Sequence, residues 1–386
     1  MHFLSLFLVL NTAFCFPLQI RTNSFNAGDA YKSVLNSTWD LFWNEDHQAF
    51  NLNDPNCNSN FSNTAVWDLA VVGKAFFDSG DANTTQKILT ELYKYQSPSG
   101  WFNAQLNQGE SYTDDNAQIV WALLAAYDVT KDDKYLTSAE HLVDLIQGQW
   151  SSIGGIIWQT GKTYVASIST TEAALAAVRL YKYNQDQKLL DFAEQCLAWM
   201  EAKLTNPSDG FYYDGLDENS GNINKGKLSY TVGTAISSYA YLHKFTNNDT
   251  YLDLANKKAT AALATNSSNI FMNSDGGWNN SLKYVHLLFA GIADLIEIGS
   301  QSQYSQKLVD QGNFVYQFDQ LSEGDYADYN SVKTLADHYT SVTGKSSGYS
   351  YSASVYCNGT ESEPQRSVLN QGSAAQVFYQ VNRISS

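Results

Sequence analysis

One helical hairpin recurs along this chain, and its recurrence limits the fold more than any other feature. Leu136-x-x-Ala139-Glu140, Leu190-x-x-Ala193-Glu194 and Leu252-x-x-Ala255-Asn256 each open an amphipathic run. A polar turn precedes each: Lys131-Asp132-Asp133, Asn184-Gln185-Asp186 and Asn247-Asn248-Asp249. Before each turn an earlier apolar run ends in aromatics, as in Leu180-Tyr181-Lys182-Tyr183 and Tyr239-Ala240-Tyr241. Apolar residues three and four apart mark helices rather than strands. The unit is helix, short turn, helix, repeated roughly every 55–60 residues. Residues 67–77 with 85–95, and 283–298 with 304–318, supply two more copies. Residues 31–42 and 368–381 read as one further hairpin split between the two ends.

Such hairpins stack into an open solenoid or close into a ring. Near six units favour closure. So do the cysteines that remain once the first segment is set aside. Cys196 falls in a helical run and reads as a buried free thiol. Cys57 and Cys357 both sit in polar loop sequence, so a bridge between them is expected, with other pairings left open. That bridge would tie the ends together. The expected fold is all-α, an (α/α)6 toroid with an inner ring of helices inside an outer one. With 386 residues, 44% hydrophobic content, only 5 prolines and no long low-complexity linker, residues 16–386 read as one domain.

The formal charge of -16 argues against a phosphate-backbone partner, so no nucleic acid is expected. Residues 3–14 are apolar and uncharged, and Ala13 and Cys15 form a small-x-small cleavage pattern, so residues 1–15 read as a secretory signal. No later stretch is long and apolar enough to span a bilayer. Residues 376–383 are too polar for a lipid-anchor signal. A secreted, unanchored monomer is expected. Sequons at Asn36, Asn60, Asn83, Asn248, Asn266, Asn279 and Asn358 agree with it.

The longer connections carry glycine and aromatics together. They are Gly100-Trp101-Phe102-Asn103, Gly154-Gly155-Ile156-Ile157-Trp158, residues 210–215 and Asp275-Gly276-Gly277-Trp278. In a closed toroid equivalent loops gather at one rim. Aromatic faces pack on the C–H faces of sugars, and Asp and Asn bond their hydroxyls. The alternative is that these aromatics plug hairpin ends. As a set they read as a sugar groove, with Trp67, Trp101, Asn103, Tyr112, Asn116, Trp158, Tyr213, Asp214, Tyr230, Asp275 and Trp278 as substrate-binding candidates.

Directly after the first of these loops comes Asp114-Asp115, at the start of the apolar run Ile119-Val120-Trp121. Asp at a helix start commonly caps it. Glycosidic cleavage, however, needs two carboxylates, and a helix N-terminus stabilises one charge while that charge raises its neighbour's pKa. A separation of about 5 Å would mean retention of configuration and about 6.5–9.5 Å inversion; adjacency favours the former. No HxH, HExxH, CxxC, Walker, GxGxxG or GxSxG pattern is present, so neither metal nor cofactor is expected. A divalent ion on the acidic pair is a remote alternative.

Tyr112-Thr113-Asp114-Asp115-Asn116-Ala117 resembles the paired-aspartate motif of glycoside hydrolase family 76, the endo-α-1,6-mannanases. Gly154-Gly155-Ile156-Ile157-Trp158 resembles its glycine–tryptophan loop, Tyr230-Thr231-Val232-Gly233 a Tyr-Asn-Gln-Gly motif, and Phe289-Ala290-Gly291-Ile292 a Phe-Lys-Gly-Ile motif. The similarity runs over about residues 27–381, thinly across 321–366. It implies an (α/α)6 barrel, a retaining mechanism, Asp114 as nucleophile, Asp115 as general acid/base, and a mannan-type polysaccharide as substrate. The family's fungal members include anchored cell-wall proteins regarded as transglycosylases, a second expectation. Thr231, Val232 and Ala290 depart from the binding motifs, and Gln118 stands where a tryptophan is common. These departures motivate a third expectation, a toroid that binds sugar without cutting it.

Overall fold

The computed structural model describes residues 24–266, 269–273 and 276–385. The expected signal segment, residues 1–15, and Asp275 lie outside the described residues. The helices, in order, are α1 (Ala27–Phe42), α2 (Val66–Phe77), α3 (Ala82–Leu92), α4 (Thr113–Thr130), α5 (Asp133–Gln147), α6 (Ser167–Asn184) and α7 (Gln187–Lys203). After them come α8 (Ser229–Thr246), α9 (Asp249–Ala262), α10 (Leu282–Glu297), α11 (Ser305–Phe318), α12 (Lys333–Thr343) and α13 (Val368–Ser385).

Contacts between helices close a ring. α2 packs on α4, α4 on α6, α6 on α8, α8 on α10, α10 on α13, and α13 returns to α2. Outside it, α3, α5, α7, α9 and α11 back onto their own partners, and α1 backs onto α13. This is the (α/α)6 toroid that the repeat predicts, including the hairpin split between the ends. α12 stands apart from the repeat and packs on α11 over a small separate core containing Phe318, Tyr329, Tyr339 and Tyr356.

Burial separates the two rings. Inner α6 is buried nearly all round from Ser167 to Leu180, whereas outer α3 buries only a stripe of Thr85, Ile88, Leu89, Glu91 and Leu92. A helix enclosed on all sides needs small residues where neighbours cross. At the α8–α10 crossing a Cβ on Gly291 would collide with the Gly233 carbonyl, and one on Gly233 with the Leu287 carbonyl. These glycines, which the resemblance places in binding motifs, set the helix spacing.

Three of the hairpin turns are two residues long. Lys131, Gln185 and Asn247 end α4, α6 and α8 in the left-handed region, at φ 56°, 57° and 55°. The next residue caps the following helix: Asp132, Asp186 and Asn248 accept the N–H of Lys134 (3.1 Å), Lys188 (3.1 Å) and Thr250 (3.0 Å). Asp132-Asp133 is therefore a capping pair. The connections from one hairpin to the next lie at the opposite rim.

Four of those connections share one local device. Gly100, Gly154, Gly210 and Gly276 have φ of 93°, 87°, 76° and 88°, so each loop folds back. The residue two positions on then forms an isolated antiparallel bridge: Gln96 with Phe102, Trp150 with Ile156, Thr205 with Tyr212, and Met272 with Trp278. All four of those second partners are buried. The loop aromatics at this position are plugs.

Cys57 and Cys357 form a disulfide across 300 residues of chain, and Cys196 is free and buried. Beside the bridge, buried Asp54 accepts the Arg366 backbone N–H at 2.9 Å and pairs with its guanidinium at 3.5 Å.

Replacing Gly291 by alanine should lower stability by about 2 kcal/mol, because the obstructing atom is backbone and the helices must part. Thermal unfolding followed by circular dichroism measures it; an unchanged transition would mean that the α8–α10 contact is not tight there.

Candidate active site

Three loop bonds build the site. The Thr113 N–H donates to the Trp158 carbonyl at 2.8 Å, and the Thr113 hydroxyl to the Ile157 carbonyl at 2.7 Å. They lay residues 157–159 across the start of α4. From there the Trp158 indole N–H donates to Asp114 Oδ2 at 3.0 Å. Trp158 lies two residues beyond its loop's plug position, so its ring, 39% exposed, faces the rim and sits 4.8 Å from Tyr112.

Asp114 and Asp115, in the first turn of α4, open onto a cavity of about 350 Å³ at the mouth of the inner ring. Its lining includes Trp67 from α2, Gln118 from α4, Ile168 and Glu172 from α6, Tyr230 from α8, and Lys283, Tyr284 and His286 from α10. One wall is Tyr112 and Trp158. Another is aromatic too: Trp67 stacks on Tyr284 at 5.8 Å and 16°, and Tyr230 meets Tyr284 at 5.4 Å.

The charges are uneven. Burial pushes the Asp114 carboxyl up to about 6, against the Trp158 indole and the first-turn backbone N–H groups, which favour its ionised form. Asp115 is driven well above the usual carboxylate range, by burial first and then by the charges of Asp114 and Asp68. Glu172 is raised likewise, by burial and then by Asp114 and Asp115. Asp68, which accepts the Ala65 N–H at 3.1 Å, is pushed by burial to about 6. Of the pair, Asp114 is thus the carboxyl that ionises and Asp115 the one that keeps its proton.

Among the sequence candidates, Asp114, Asp115, Trp67, Tyr112, Trp158 and Tyr230 meet at this cavity. Others sit elsewhere, for visible reasons. Trp278 is the plug of its loop, and Trp101, beside a plug, is buried in the core. Asn116 is wholly buried and clamps the preceding loop to α4: it accepts the Phe102 N–H and donates to the Phe102 and Tyr112 carbonyls, all at 2.8–2.9 Å. Asn103 accepts the Ser111 hydroxyl at 3.0 Å. Tyr213 packs half-buried against the core. Asp214 lies in the rim beside a three-stranded sheet and takes the Tyr164 hydroxyl at 2.5 Å and the Asn224 amide at 2.8 Å.

Four charged or aromatic lining residues escaped the sequence reading: Glu172, Lys283, Tyr284 and His286. Glu172 had a signal, an acid inside the small and apolar run Thr171-Glu172-Ala173-Ala174 of an inner helix. His286 is fully buried, and burial holds its imidazole neutral, down to about 3. Its Nδ1 meets Ser373 Oγ at 3.0 Å, and Ser373 in turn donates to the Leu282 carbonyl. The histidine is therefore an Nδ1–H donor.

The family model for glycosyl hydrolase family 76 matches residues 27–359. The chain belongs to that family. A "Meiotically up-regulated gene 191 protein" of Schizosaccharomyces pombe is 28% identical over 298 residues, 66% of each chain. A "Mannan endo-1,6-alpha-mannosidase DCW1" of Candida albicans is 27% identical over 217 residues, 51% of this chain and 47% of that one. The chain thus spans about half to two thirds of these relatives' length. The family 76 α-mannanase structure from Bacteroides thetaiotaomicron superposes with a TM-score of 0.75 at 16% identity, over 94% of this chain and 96% of that one. An inactive variant of the α-1,6-mannanase of a Salegentibacter species, with two consecutive aspartates changed to asparagine and α-1,6-mannotriose bound, gives 0.71 at 18% identity, over 93% and 100%. These likenesses establish the toroid as the family 76 fold.

Changing Trp158 to phenylalanine removes a hydrogen bond that favours ionised Asp114, so the Asp114 pKa should rise, by up to about one unit. Titration of the Asp114 carboxyl by carbon-13 NMR tests this; a pKa that stays or falls would show that the indole does not stabilise the charge.

Proposed function

We propose that the protein is a retaining glycoside hydrolase acting on α-1,6-mannan or a closely related α-mannoside. One observation carries this reading. Two adjacent carboxyls face one aromatic cavity, and among the described residues only Asp114 has donors that favour its charge. Ionised Asp114 attacks C1 while protonated Asp115 gives its proton to the departing glycosidic oxygen. Asp115, now a carboxylate, then takes a proton from water, which displaces Asp114 from C1. Two displacements restore the original configuration. Trp67, Tyr284 and Tyr230 offer faces on which pyranose rings stack. Family membership supports the reading. So do the mannan endo-1,6-α-mannosidase relatives and the inactive double-aspartate variant that binds mannotriose.

Secretion belongs to the same proposal. It is supported by the Cys57–Cys357 disulfide, which suits an oxidising compartment. Among the described residues no helix is long and apolar enough to cross a membrane.

Activity needs Asp114 ionised and Asp115 protonated. It should rise as pH passes about 6, where Asp114 loses its proton, and fall at the higher pH where Asp115 loses its own. Asp114→Asn and Asp115→Asn should each reduce turnover of linear α-1,6-mannan by at least about a hundredfold while the fold and mannotriose binding persist. New reducing ends report it. Undiminished turnover in either variant would remove that residue from the mechanism, and mannan binding without cleavage by the wild type would favour a sugar-binding toroid.

A further inference from the structure

Three hydrogen-bonding atoms of this cavity's lining are buried without partners, on Asp114, Glu172 and His286, and those of Asp114 and Glu172 are complementary. Asp114 uses Oδ2 for the Trp158 indole, and its Oδ1 has no partner. Glu172 uses Oε1 to accept the Gln118 amide at 3.1 Å, and its Oε2 has none. Gln118 lies one turn beyond Asp114 on α4, so this bond brings Glu172 to the same side of the cavity as the nucleophile. Glu172 is wholly buried, and the nearest basic side chain on its own helix, Arg179, is engaged with Asp294 at 3.3 Å. A carboxyl so placed is held as the neutral acid. Because Oε1 accepts from Gln118, the proton resides on Oε2. The Glu172 donor and the Asp114 acceptor thus belong to side chains that line the same cavity, and both atoms are removed from bulk water. An unpaired buried polar group is costly, and at a binding site its partner is the ligand.

A hydroxyl group satisfies both atoms, since it accepts and donates at once. Resting on the functional reading above, in which Asp114 meets C1, we propose that the sugar hydroxyl on the carbon next to C1 bridges Glu172 and Asp114. Glu172 Oε2–H donates to that hydroxyl, and the hydroxyl donates to Asp114 Oδ1. The bridge orients the nucleophile on the sugar. As positive charge develops at C1 the hydroxyl becomes a stronger donor, so the bond to Asp114 tightens in the transition state. The raised pKa of Glu172, caused by burial and by the two aspartates, agrees with its serving as a donor. Gln118 is the residue that holds it.

The test compares Glu172→Met and Glu172→Gln on an α-1,6-mannooligosaccharide and on the matching substrate with the hydroxyl beside the reacting C1 removed. Methionine has no donor, and kcat/KM on the natural substrate should fall roughly tenfold or more. Glutamine can face its carbonyl to Gln118 and its N–H to the sugar, and should recover most of the loss with the acidic limb of the pH profile in place. On the deoxy substrate, methionine and wild type should differ by less than about threefold, since the bridge is absent from both. Glu172→Gln as impaired as Glu172→Met, with a displaced acidic limb, would show that Glu172 acts as a carboxylate and overturn the proposal. An equal loss for Glu172→Met on both substrates would reduce Glu172 to structural support and overturn it too. A wild type inert on both substrates would sink the functional reading and this inference with it.

Discussion

Everything at the rim depends on α13 finding its place between α10 and α2. Until the last helix docks, the inner ring is an open arc, and α2 and α10 present faces with no cover. Once it docks, the starts of the inner helices converge on one mouth. Trp67, Asp114, Glu172, Tyr230 and Tyr284 come from five different hairpins and meet only because the ring is shut. The closing helix joins segments some 300 residues apart, and the entropic cost of such closure grows only slowly with length. The Cys57–Cys357 bridge spans the same separation and lowers that cost further by constraining the unfolded chain.

Closure also sets the electrostatics. Asp68, Asp114, Asp115 and Glu172 share a confined space, and burial raises all four. Such a cluster opposes stability: carboxyls that hold protons more tightly when folded weaken the fold as pH rises through their folded values. A site that must hold one carboxylate and one carboxylic acid at the same pH needs that arrangement. Among the described residues, the only direct side-chain donor to the pair is the Trp158 indole, and it goes to Asp114. That bond, with the first-turn backbone N–H groups, breaks the symmetry of two adjacent, chemically identical residues.

Much of this was legible before any coordinates. Helical period, hairpin count and the split terminal pair are local or additive properties of sequence, and they led to the toroid. Asp114-Asp115 was legible because a helix start fixes where those side chains point. The aromatics were harder. Trp158 and Trp278 both follow a glycine of a rim loop, yet Trp278 fills the position that plugs the hairpin end and Trp158 lies two further on. Only the folded-back loop shows which offset is which. Asn116 read as a sugar ligand but satisfies the backbone of the preceding loop, a tertiary contact with no local mark. Glu172, Tyr284 and His286 were missed because their helices face the cavity with no break in pattern. For Glu172 the sole hint was a charge where the ring should be apolar.

The central claim is that Asp114, and not its neighbour, bonds covalently to sugar. Incubating the protein with an activated 2-deoxy-2-fluoro-mannosyl donor, which slows the second displacement, and mapping the adduct by peptide mass spectrometry tests it most directly. A fluoromannosyl group on Asp114 is the expected result. An adduct on Asp115, or normal release of product at retained configuration with no adduct on either aspartate, would contradict the assignment.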